Sequence, residues 1–283
     1  MSLKNKKLLI CEEGLIGYSG HLQTWINAIK NINMSQGVKV YIAGNKSVIE
    51  ELAQNLDVIP IFTINSWDNS RISKWPRWRR ALELFIHNWR LFLETKEILE
   101  KIGKVDIILF TAVRQHHILG LKLLSIWGLK KFFNKLSAYL LTSVAEYNAD
   151  YTEYSFTKES FFLSFFIKSF KKLINQGRVN FLCDSQVTCD EYRKLTGAEI
   201  KLMPSPVLEN KIRNNSIRDK NYSFFTLLGC TAWEKGIDVF QEAIILILKK
   251  EIKDINFVIQ WNRELISPTL KRIDIKNELI NNK

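Results

Sequence analysis

Residues 7–32 read KLLICEEGLIGYSGHLQTWINAIKNI, and this stretch decides the fold. Lys7–Cys11 is a continuous apolar run, as expected of a strand buried on both faces. A loop with Gly14, Gly17 and Gly20 follows, and His21–Ile32 then repeats its apolar residues at helical spacing. Strand, glycine-bearing turn and helix are the first half of a βαβ unit.

The same alternation continues along the chain. Strands are expected at Val38–Ala43, Val58–Phe62, Asp106–Phe110, Ala138–Thr142, Val179–Cys183 and Ile200–Met203. Helices are expected at Lys46–Asn55, Arg77–Ile102, His117–Trp127, Lys158–Asn175 and Gln186–Leu195. Apolar strands separated by helices predict a parallel α/β sheet covered on both faces, a Rossmann-like domain over residues 1–205. Pro204-Ser205-Pro206 and the polar run Glu209–Asn221 read as a hinge, 206–222. A second α/β unit opens at 223–283, with strand Ser223–Leu228, loop GCTAWEKG, helix Ile237–Lys250 and strand Asn256–Gln260. Its 61 residues (283 − 222) suffice for about two βα units, so the second Rossmann-like domain is expected to be incomplete.

Composition narrows the function classes. Lys and Arg number 41 against 29 acidic residues, a formal charge of +12, which favours anionic partners such as phosphates or an acidic membrane surface. No nucleic-acid motif accompanies that charge, so nucleic acid is not expected as a partner. Cys11, Cys183, Cys189 and Cys230 lack CxxC spacing and read as small buried hydrophobes in a reducing compartment. The apolar stretch Leu8–Cys11 is too short for a signal peptide and ends in Glu12-Glu13. Without a membrane-spanning run, the expected location is the cytoplasm, with peripheral contact at the inner membrane surface.

Two loops carry candidate chemistry. In the first, glycines let a ligand approach the backbone at a helix N-terminus, although the spacing is not GxGxxG. In the second, LLGCTAWEKGID, Gly229 follows a strand and Lys235-Gly236 opens a helix, where an ammonium beside free amides can clamp a diphosphate. The plainer alternatives are an ordinary βα turn and a solvated lysine.

These segments, with FLCDSQVTCDEYRKLTGAEIKLMPSPV and LLGCTAWEKGIDVFQEAI, resemble the GT-B glycosyltransferases of the family-4-like retaining group. The resemblance implies two Rossmann-like domains, a sugar-nucleotide co-substrate bound in the cleft between them, and neither metal nor further cofactor. It implies that Lys235 contacts the donor diphosphate, that Gly229 and Gly236 permit close approach, and that Gly17, Ser19 and Gly20 line the opposite wall. The chain departs from the family pattern twice. Cys230 stands where the family usually has Arg, and the family's Glu-x7-Glu segment would lie beyond residue 283. The reading is a glycosyltransferase acting on a glycan or lipid-linked acceptor with retention. Its alternative is a catalytically incomplete binding subunit needing a separate C-terminal partner.

On the acceptor side the candidates are His116 and His117, at a helix start, with Glu146 and His21. Helix capping or solvation is the plainer alternative for His116 and His117, and a surface carboxylate is the plainer reading of Glu146. His87, within a long amphipathic helix, reads as structural. Two basic aromatic segments complete the reading. KWPRWRR places Trp75, Arg77, Trp78, Arg79 and Arg80 together, and KESFFLSFFIKSFKKLI sets a phenylalanine face beside Lys168, Lys171 and Lys172. Such segments suit a membrane interface, while packing against the sheet is the competing explanation for the second.

Overall fold

A computed structural model describes residues 3–18, 22–65, 76–114, 117–148, 153–204 and 206, then 223–227, 243–247, 249–250 and 255–259. The chain divides into two units, Met1–Lys211 and Ile212–Lys283.

In the first unit the order is β1 (Lys7–Cys11), α1 (Leu22–Ser35), β2 (Lys39–Asn45), α2 (Glu50–Leu56), β3 (Val58–Phe62) and α3 (Arg77–Ile102). There follow β4 (Val105–Val113), α4 (Ile118–Gly128), β5 (Phe133–Leu140), β6 (Ala145–Tyr147), β7 (Tyr154–Phe156), α5 (Lys158–Lys168) and α6 (Lys171–Asn175). β8 (Val179–Cys183), α7 (Gln186–Thr196) and β9 (Ile200–Leu202) close the unit. Seven strands form one sheet in the order β3-β2-β1-β4-β5-β8-β9, every pairing parallel. The fold is therefore a doubly wound, Rossmann-like α/β sheet.

Side chains alternate across the sheet and divide the core in two. Leu8 and Ile10 of β1 point to the face packed by Trp25, Ile26 and Ile29 of α1 and Leu52 and Leu56 of α2. Leu9 and Cys11 point to the other face, covered by α3 to α7 through residues such as Leu91, Ile98, Leu121, Ile167, Phe170 and Tyr192. Each fully buried aliphatic or aromatic side chain contributes about 1.5–3 kcal/mol, which is why both faces must be covered.

The structure differs from the sequence expectation at three places. β4 runs on to Val113 through a register shift after Phe110, so Thr111 continues the strand. The single helix expected over 158–175 is broken, because Phe170 turns inward and meets Phe181 edge-on at 5.5 Å. Ser169 marks the break, its hydroxyl donating to the Phe166 carbonyl. Residues 145–147 (AEY) and 154–156 (YSF) form an antiparallel hairpin whose three-residue strands are too short to stand out in the sequence. Helix starts follow the expected chemistry at Thr157 and Ser185, whose hydroxyls accept from the amides of Ser160 and Thr188.

In the second unit, β10 (Ser223–Leu227) and β11 (Ile255–Ile259) pair in parallel, Ser223 opposite Ile255. Residues 243–247 between them are helical.

Candidate functional site

Strand order reverses between β1 and β4, since β2 and β3 extend the sheet on one side and β5 to β9 on the other. Open parallel sheets bind ligands beyond the carboxyl ends of strands at such a switch point. Glu12 and Glu13 follow β1 there, Thr111 lies at the end of β4, and Arg114 and His117 lead into α4. α3 supplies His87 from the side.

Glu13 is the hub. Its Oε1 lies 2.9 Å from His117 Nε2 and its Oε2 lies 3.1 Å from His87 Nε2. Both Glu13 and His117 are buried. Burial pushes the Glu13 carboxyl up, but the two imidazoles outweigh it and hold the group well below the ordinary carboxylate range. The Arg114 amide donates to His117 Nδ1 over 2.9 Å, so Nδ1 carries no hydrogen and the ring proton sits on Nε2, facing Glu13.

Glu12 has the opposite electrostatics one residue away. Burial, the dominant influence, raises its pKa to about 7, although Thr111 and the Gly14 amide both donate to it. Thr111 Oγ1 approaches Oε2 at 2.5 Å and the Gly14 amide approaches Oε1 at 2.8 Å. Burial depresses the pKa of Arg114, while Glu12 and Glu13 work against that depression. Adjacent buried carboxylates thus hold their protons differently, Glu13 below the ordinary carboxylate range and Glu12 near 7.

The α3–α4 packing fixes this geometry. Asn88, next to His87, accepts from the Gly120 amide at 2.6 Å. A Cβ on Gly120 would lie 2.7 Å from the Asn88 carbonyl oxygen, so glycine lets the two helices meet here.

Glu13, His87 and His117 offer three ligand atoms within 4.8 Å of one another, the spacing of a metal site. The hydrogen bonding does not fit one. A metal at His117 Nε2 requires the proton on Nδ1, where it would face the Arg114 amide hydrogen.

Among the described residues singled out from sequence, the structure brings only His117 into this cluster. It neither caps its helix through its side chain nor meets solvent, contrary to the plainer alternatives. Gly17 borders open space, with nothing within 4 Å of where a Cβ would lie. Glu146 is exposed on the β6–β7 hairpin, apart from the cluster. Ser19, Gly20, His21, Trp75, His116, Gly229, Lys235 and Gly236 lie outside the described residues, as does the side chain of Arg77.

Glu12, Glu13, His87, Thr111 and Arg114 were not anticipated. The available signal was a carboxylate pair at the carboxyl end of the first parallel strand, where polar side chains serve ligands more often than packing. A separate hollow of about 610 Å³, lined by Leu3, Ile29, Ile107, Leu182 and Met203 among others, shares no residue with the cluster. Its largely apolar wall sets it apart from the switch point.

No protein-family model matches the chain, and no curated protein matches it. Several solved structures are similar. A structure of S. aureus MnaA with UDP gives a TM-score of 0.47 at 10% identity, covering 97% of this chain and 66% of that one. An OtsA apo structure gives 0.49 at 11% identity, with coverages of 98% and 69%. An alpha-glucosyltransferase in complex with UDP-glucose and DNA containing an abasic site gives 0.45 at 12% identity, with coverages of 90% and 67%. The chain spans about two thirds of the length of each. The fold assignment rests on the strand order itself.

Proposed function

We propose that the chain is a glycosyltransferase of the GT-B type that moves a sugar from a nucleotide-sugar donor to a glycan or lipid-linked acceptor with retention. The observation carrying this reading is the cluster of buried Glu12, Glu13 and His117 with half-buried His87 and Arg114 at the switch point of a Rossmann-like sheet. A pocket that binds sugar hydroxyls needs charged acceptors and donors of fixed geometry, and Glu13 with its two imidazoles has that form. Glu12, with a pKa of about 7, suits proton exchange with a reacting hydroxyl. On the motif resemblance, the diphosphate is assigned to Lys235, Gly229 and Gly236, and to Gly17, Ser19 and Gly20. There an ammonium and helix amides would stabilise the departing phosphate. The motif resemblance supports these placements.

The decisive experiment is calorimetric titration of the chain with uridine, adenosine and guanosine diphosphates, repeated with Lys235→Ala. One diphosphate should bind, and the variant should bind it at least tenfold more weakly, about 1.4 kcal/mol. Unchanged affinity would remove the donor assignment. Mixing the chain with sugar nucleotides and following hydrolysis or transfer then separates an enzyme from a binding subunit.

A further inference from the structure

We propose that the outer surface of α3 and α5 docks onto an anionic lipid bilayer. On α3, Trp78, Leu82, Phe85, Trp89 and Leu93 recur at spacings of three and four and form one stripe, and all five are exposed, Trp78 at 70% and Phe85 at 54%. The stripe runs about 22 Å along the helix axis. Soluble helices turn such a stripe inward, yet α3 already buries Leu91, Ile98 and Leu99 on a different side. On α5, Phe161, Phe162 and Phe165 are exposed at 61%, 67% and 70%. Lys168 is exposed three positions beyond Phe165, on the same stripe.

These two aromatic faces belong to one layer. α3, α4 and α5 pack on the same sheet face, with α4 contacting both neighbours. Each returns antiparallel to the parallel strands, so their N-termini share the carboxyl edge of the sheet. The ten residues of α3 before His87 span about 15 Å along its axis. Ile126 of α4 is also exposed, at 73%.

The flanking charge selects the partner. Arg77, Arg79, Arg80 and Arg90 accompany the first stripe against Glu83. Lys158, Lys168, Lys171 and Lys172 accompany the second against Glu159. Among these, Arg79, Arg80, Arg90, Lys168, Lys171 and Lys172 are exposed. Tryptophan and phenylalanine insert at the headgroup level, while long cationic side chains reach anionic headgroups beside them. Each cation near such a surface strengthens attachment about fivefold. A protein groove would need a matched shape, whereas a bilayer accepts two separate aromatic faces at once.

The inference stands apart from the sugar-transfer reading, because its readout is lipid binding. Flotation of the full chain with vesicles of phosphatidylcholine alone, or mixed with phosphatidylglycerol, tests it. The chain should float with the mixed vesicles, less so at high salt, and stay behind with phosphatidylcholine alone. Trp78→Ala with Phe85→Ala, and separately Phe161→Ala with Phe165→Ala, should each cut partitioning about tenfold. Urea unfolding should be unaltered, since these side chains are exposed. Binding that ignores lipid charge, or that survives both paired substitutions, would overturn the proposal. So would indifference to vesicles combined with a dimer that the same substitutions dissociate.

Discussion

Glu13 and Glu191 are both buried carboxylates beyond strand ends, and they are held in contrasting ways. Glu191 of α7 accepts from the Ser143 hydroxyl at 2.7 Å, the Val144 amide at 3.2 Å and the Tyr147 phenol at 2.5 Å. All three come from the segment between β5 and the end of β6, and none changes charge near neutral pH. Glu13 instead meets two imidazoles and an arginine drawn from α3 and the start of α4. The first arrangement fastens a hairpin to the domain. The second gathers titratable groups from distant parts of the chain around one carboxylate. Burial of a carboxylate is therefore no sign of function by itself; the proton chemistry of its partners is what separates the two.

The sharpest way to break this contrast is Glu13→Ala. Removing the buried acceptor shared by His87 and His117 should cost about 4 kcal/mol at neutral pH, read from urea unfolding. Because the Glu13 pKa is lowered in the folded state, its contribution is present above the ordinary carboxylate range. It is lost as pH falls through the folded value, so the deficit should shrink in strong acid. A deficit independent of pH would make Glu13 a packing residue like any other.

Next in size is Glu12→Gln. With a folded pKa of about 7 against 4.5, Glu12 binds its proton more tightly when folded, so its stabilising effect is complete below pH 4.5 and disappears as pH rises through 7. The amide should therefore raise stability by about 3 kcal/mol near pH 8 and leave it nearly unchanged near pH 4. Equal stability of the two proteins at both pH values would show that Glu12 titrates normally.

Glu191→Gln gives the smallest effect. Exchanging a charged acceptor for a neutral one should cost about 1 kcal/mol and leave diphosphate binding alone. The Tyr147 phenol, raised to about 12 chiefly by its hydrogen bond to Glu191, should titrate nearer its ordinary 10 in the variant. An ultraviolet pH titration reads that change. Loss of ligand binding in this variant would erase the distinction between the two carboxylates.

The layered architecture was legible because its cause is local. Lys7–Cys11, Val58–Phe62 and Val179–Cys183 are apolar runs whose ends coincide with the strands observed. α3 likewise begins at Arg77 and ends at Ile102, where Gly103 takes a positive φ of 75°. The hairpin at 145–147 and 154–156 was not legible, since it is held by Glu191 more than forty residues away. The broken helix at Ser169 depends in the same way on Phe181, a residue of another strand.

The candidate site divides along the same line. The chain order alone established alternating strands and helices, a glycine-bearing first turn, a basic balance and two aromatic cationic segments, because periodicity, backbone freedom and charge are properties of neighbouring residues. Tertiary structure decided that His87 is a partner of Glu13 rather than a bystander on a long helix. It also decided that adjacent Glu12 and Glu13 hold their protons so differently. Those outcomes depend on desolvation and on charges from residues about 75 to 100 positions away, which no local pattern encodes.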